Sequence, residues 1–134
     1  MHTDLVLRSL RIEDTGVPIY VQLRQQILRA LGAGALAPGD QMPTMREVAV
    51  ALKVDLNTVR HAYDELERVG AITLIRGRGS FVAKPPPAMD EPTHAARADD
   101  LAKEVIATAA AMGLDAVAVA KRIVALARGK ERML

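Results

Sequence analysis

The sequence has no cysteine and no tryptophan, and only two tyrosines and one phenylalanine in 134 residues. Without thiols there is no disulfide, no thiolate zinc site and no cysteine nucleophile, a pattern that suits a reducing compartment. With 2% aromatic against 50% hydrophobic residues, the core must be built from Leu, Val, Ile, Ala and Met. No apolar run reaches the roughly 18 residues of a membrane span. The opening stretch MHTDLVLRSLRIED is broken by acids, where a signal peptide would carry an apolar segment of roughly 7–15 residues. We therefore expect a soluble cytoplasmic protein with no membrane partner. Charge of one sign is also missing: the net is +2, and residues 1–83 hold ten Lys or Arg against nine Asp or Glu. A surface for a polyanion must then come from where the basic residues stand, not from their number. His2, His61 and His94 are dispersed, so no metal site is expected, and the methionines read as gap fillers. Catalytic clusters and a phosphate-cradling glycine loop in a βαβ setting are lacking, so neither an enzyme nor a cofactor is expected.

What is present centres on Val54 to Gly70. Val59, Ala62, Tyr63 and Leu66 recur at spacings of three, four and seven, which marks one face of a helix. Asp55 suits the N-cap, and Gly70 suits the left-handed residue that ends such a helix. The opposite face gathers Asn57, Arg60, His61 and Asp64. An amide, a guanidinium and an imidazole beside a helix N-terminus suit a helix that reads DNA.

The flanks support that face. Leu5 to Ile12 reads as a short strand with Arg8 and Arg11 outward. A helix follows, with Pro18 at its first position, Tyr20, Leu23, Ile27 and Leu31 on one face, and Gly34 as its stop. Pro38-Gly39-Asp40 marks a turn. Thr44 with Glu47 three residues on forms a capping box, and Met45, Val48, Ala49 and Leu52 line the helix behind it. Lys53-Val54-Asp55 leaves only a tight turn before the central helix, the helix-turn-helix arrangement. Ile72–Ile75 and Ser80–Val82 are β-prone and flank Arg76-Gly77-Arg78-Gly79, a hairpin with a doubly basic tip. The sum is a mostly α fold with a small β wing: a winged helix-turn-helix over residues 1–83.

Residues 84–93, with three consecutive prolines, read as an extended linker that stays loose to Thr93. Residues 94–134 read as two antiparallel helices, the first from about Ala95 with Leu101, Val105, Ala109 and Met112 apolar. Gly113 turns the chain, and the second helix runs from about Asp115 to Arg128 with Val117, Ala120, Ile123, Val124 and Ala127 apolar. Two such helices cannot bury a core alone. A second copy of the chain is the simplest partner, with Leu101, Val105, Met112, Val117, Ile123 and Val124 as the dimerisation residues.

The ordered run Pro18-Ile19-Tyr20, Gly34 to Asp40, Pro43 to Glu47, Asn57-Thr58-Val59, Ala62-Tyr63, Leu66-Glu67, Gly70 and Gly77 to Val82 closely resembles the DNA-binding domain of GntR-family bacterial regulators. The two-helix tail is similar to that of the YtrA-type subfamily, in which the resemblance implies a dimerisation role. It further implies a homodimeric transcription regulator, most simply a repressor, on a double-stranded operator with inverted symmetry. Arg46, after Thr44, would then reach the major groove, with Asn57, Thr58 and Arg60 touching bases or phosphates. His61 shares their face, and Arg76, Gly77 and Arg78 would approach the minor groove. Relatives carry Asn-Pro where this chain has Asp55-Leu56; Leu56 cannot hydrogen-bond a base, and an exposed Leu could instead touch a thymine methyl.

Blander readings compete at each position. Arg46 could be merely solvated, Asn57 and Thr58 could serve only as caps, and His61 could be idle. Arg76 and Arg78 could be ordinary edge protection for a hairpin. The rival function is a winged-helix module that binds protein through the same face. A small-molecule effector is a possible partner, but two short Ala-rich helices cannot enclose a ligand cavity within one subunit.

Overall fold

In the computed structural model of the chain, residues 2–84 and 90–133 are described. The elements run α1 (His2–Ser9), α2 (Ile19–Gly32), α3 (Met45–Leu52), α4 (Leu56–Arg68), β1 (Ile72–Ile75), β2 (Gly79–Val82), α5 (Glu91–Ala111) and α6 (Ala116–Met133). They fall into two units, residues 1–85 and 86–134.

The first unit is built on α4. Val59, Ala62, Tyr63 and Leu66 are all completely buried, as the helical spacing requires. Leu23, Ile27 and Leu31 of α2, Val48 of α3 and Ile72 of β1 close round them into one core with Leu36, Met42 and Val82. The helix ends follow from local chemistry. Gly34 at φ +83° lets the Ala35 N–H reach the Ala30 carbonyl at 3.0 Å and stop α2. Pro18 is the N-cap of α2 rather than its first residue. Lys53 at φ 56° performs the same reversal after α3, where the Val54 N–H donates to Ala49 O at 3.1 Å. Asp55 then caps α4, its Oδ1 accepting the Asn57 N–H at 2.7 Å.

The N-terminal stretch corrects the strand expected over Leu5 to Ile12: it is helical to Ser9. Val6 and Leu10, four apart, are both 1% exposed, and one helical face brings them together onto the core. Arg11 is exposed, as expected, and folds its guanidinium back onto the Arg8 and Leu10 carbonyls at 2.6 and 2.8 Å. The segment beyond is gripped by two amides of α2. Gln26 exchanges a pair of hydrogen bonds with the N–H and C=O of Arg11, and Gln22 does the same with Glu13, at 2.6–2.9 Å. Gln22 is 8% exposed and also donates to Val17 O at 2.9 Å.

Strands β1 and β2 pair antiparallel, with Ile72 opposite Val82 and Ile75 opposite Gly79. The three residues between them, Arg76, Gly77 and Arg78, turn with Gly77 at φ +80° and the Arg78 N–H on Ile75 O at 2.9 Å.

In the second unit, α5 begins at Glu91, not near Ala95. Asp90 caps it by accepting the Thr93 N–H at 3.1 Å, so residues 91–93, expected to be loose, are helical. Those bonds, from the Thr93 side chain and backbone, hold the Asp90 carboxyl below its ordinary pKa. The three consecutive prolines of the expected linker lie outside the described residues. Gly113 at φ +73° reverses the chain, and α6 continues beyond Arg128 to Met133. Within this hairpin only Ala109 is buried among the described residues, at 4% exposure. Val105, Ala116 and Val119 are half-buried. Leu101, Met112, Val117, Ile123 and Val124 stand 47–67% exposed, as do Ile106, Leu114 and Leu126 at 49–56%. No described helix is long and apolar enough to cross a membrane.

Candidate nucleic-acid interface

The start of α3 is the best-fixed point of the surface. Thr44 Oγ1 accepts the Glu47 N–H and Glu47 Oε1 accepts the Thr44 N–H, each at 3.0 Å. These bonds, the Thr44 backbone first and its hydroxyl second, hold the Glu47 carboxyl below its ordinary pKa. From below, the Tyr63 hydroxyl donates to the Pro43 carbonyl at 2.6 Å, wholly inside the protein. Burial, reinforced by the Glu47 charge, pushes the phenol well above its usual pKa, so it remains a donor. Tyr63→Phe is expected to lower stability by about 1–3 kcal/mol, because the buried carbonyl loses its partner. Urea unfolding checks this, and an unchanged midpoint would mean that the bond contributes nothing net.

Two residues after the cap, Arg46 stands exposed at the surface. Its guanidinium makes no hydrogen bond or ion pair with any described residue. The same holds for Arg76 and Arg78 at the wing tip, which are also exposed. A groove of about 440 Å³ joins these two places, lined by Thr44 and Met45 on one side and Leu74 to Ser80 on the other. Gly77 brings the backbone to its rim without a side chain.

The other arginines of the region are engaged. Glu65 on α4 takes Arg68, approaches Arg24 of α2 at 3.8 Å, and lies 3.7 Å from His61 Nε2. The His61 ring also stacks on Tyr20, with centroids 3.8 Å apart and planes 15° apart. That contact ties α4 to α2, a structural role no spacing pattern announces. Arg60 donates from Nη1 to Asn57 Oδ1, so two of the expected contact residues of α4 are joined in advance. Asn57 and Arg60 are exposed, whereas Thr58 and Leu56 are half-buried at the first turn. Chemically, the surface presents guanidiniums and an amide from two helices and a hairpin tip, with no metal-holding acid or histidine cluster among the described residues.

Comparison with known proteins agrees with this geometry. Residues 19–82 match the family model described as bacterial regulatory proteins, gntR family. An HTH-type transcriptional regulator of Mycobacterium tuberculosis is 44% identical over 107 residues, covering 78% of this chain and 83% of that protein. The HTH-type transcriptional repressor YtrA of Bacillus subtilis is 41% identical over 70 residues, covering 52% of this chain and 54% of YtrA. Among solved structures, the DNA-binding domain of AraR in complex with operator ORX1 superposes with a TM-score of 0.50 at 28% identity, over 54% of this chain and 87% of that one.

Proposed function

The chain belongs to the GntR family of bacterial transcriptional regulators, with YtrA-type members among its relatives, and from that premise we propose that it is a cytoplasmic repressor acting as a homodimer on an inverted-repeat operator. The observation that carries the reading is the contrast among its arginines. Arg24 and Arg68 are drawn to Glu65, while Arg46, Arg76 and Arg78 are exposed and unpaired among the described residues around the start of α3 and the wing. Unpaired guanidiniums are what a duplex uses: phosphate contacts for affinity and guanine edges for discrimination.

On this reading α4 enters the major groove behind Thr44 and Arg46, with Asn57, Thr58 and Arg60 toward bases or phosphates. The first-turn Leu56 meets a thymine methyl. Arg76, Gly77 and Arg78 reach the neighbouring minor groove. His61 supports this face by bracing α4 on Tyr20 rather than by reading sequence. The exposed apolar residues of α5 and α6 cover one another between two copies, which places two α4 helices on successive major grooves roughly 34 Å apart. A small-molecule effector is a further possible partner.

Selection of duplexes from a random-sequence library by the full-length protein tests the reading. Recovered sites are expected to be inverted repeats with half-sites one helical turn apart, centre to centre. Unstructured recovery at physiological salt would overturn it in favour of a protein-binding module.

A further inference from the structure

Glu67 is an acid exposed on α4, in the domain that the proposed function brings against phosphates. A carboxylate there opposes binding unless it has other work. Its Oε2 accepts the backbone N–H of Leu74, in β1, at 3.0 Å. The outer edge of β2 is covered by backbone: the Met42 N–H donates to Ser80 O and the Val82 N–H to Asp40 O, both at 2.8 Å. The outer edge of β1 has no strand beside it among the described residues, and an edge strand offers unpaired N–H groups. Glu67 fills that gap. No other hydrogen bond among the described residues runs from α4 to β1.

We propose that Glu67 is a positioning residue for DNA recognition: it locks the wing to α4, so that Arg76 and Arg78 engage the same duplex as Asn57 and Arg60. Ile72 anchors the base of β1 in the core, but Ile75, three residues along, is 42% exposed. Leu74 is therefore the last residue at which the body holds β1 before the basic tip, its side chain packed against the core and its N–H held by Glu67. The proposal rests on the wing contacting DNA.

Charge and positioning predict opposite signs, which makes the test sharp. Deleting a negative charge from a DNA-binding face raises affinity by itself. Deleting the tie to Leu74 lowers it. Full-length variants would be titrated by fluorescence anisotropy against a duplex selected by the wild-type protein, at several salt concentrations. Glu67→Ala is expected to weaken binding about tenfold and to flatten the slope of log K on log salt by about one for each phosphate that the wing no longer neutralises. Glu67→Gln, whose amide oxygen still accepts the N–H, is expected to bind at least as tightly as wild type. Arg78→Ala is expected to match Glu67→Ala, and the double variant to be no weaker than either alone, the mark of two residues acting through one contact.

Glu67→Ala binding as well as or better than wild type would overturn the proposal, and so would additivity with Arg78→Ala. A weakening in Glu67→Gln equal to that in Glu67→Ala would overturn it as well, since the hydrogen bond would then not be the cause. If Arg78→Ala binds normally, the wing does not touch DNA, and the proposal falls with that reading instead.

Discussion

Arg46→Ala is expected to erase sequence discrimination while leaving the fold untouched. The side chain is exposed and has no partner among the described residues, and the Thr44–Glu47 box that sets the helix start is independent of it. A bidentate guanidinium–guanine contact contributes about 1–3 kcal/mol of discrimination. Two half-sites double that, a change of roughly 30-fold to four powers of ten in the ratio of specific to non-specific affinity. The measurement is anisotropy on the selected duplex and on a scrambled duplex of equal length, with urea unfolding alongside. Equal weakening on both duplexes would make Arg46 a phosphate contact. An unchanged ratio and unchanged affinity would remove it from the interface.

The second large effect belongs to the tail. Leu101→Asp and Val117→Asp alter side chains that are each 62% exposed within one protomer, and Ile123→Asp one that is 50% exposed. A lone hairpin would tolerate all three. A hairpin covered by its twin would not, because each charge would be buried twice without a partner. The triple variant is expected to sediment at 14.4 kDa where the wild type sediments at twice that mass. Its operator affinity should drop by about two to four powers of ten, since the second half-site is no longer delivered at high effective concentration. A dimeric triple variant would move the subunit contact away from these helices.

Where one residue's burial decides an element, the chain can be read directly. The α4 stripe, the Thr44–Glu47 box, the Asp55 cap and the glycines at 34, 70 and 113 all appear in the structure as their spacing demands. In an eight-residue helix that logic weakens. α1 holds Leu5, Val6 and Leu7 in succession, a run that fits a short buried strand as well as a helix, and only the packing of Val6 and Leu10 decides. The start of α5 is hidden in the sequence because its cap, Asp90, follows closely on a proline run, and prolines argue for extended chain. Side-chain to backbone bonds leave no sequence signal at all. Gln22, Gln26 and Glu67 each hold a main-chain group distant in sequence, and an amide or a carboxylate on a helix surface has no periodic trace. The brace between His61 and Tyr20 is of the same kind, since it exists only once α2 and α4 are side by side.

The grip of Gln22 and Gln26 on Arg11 and Glu13 separates shape from residue identity. Each glutamine addresses an N–H and a C=O, groups that every residue but proline offers. The Glu13 side chain makes none of these bonds, so position 13 is free to drift through every side chain except proline, which would break the clasp. Selection at position 13 therefore falls on Gln22 of α2 rather than on the residue it holds, and variation at that position carries little information about function.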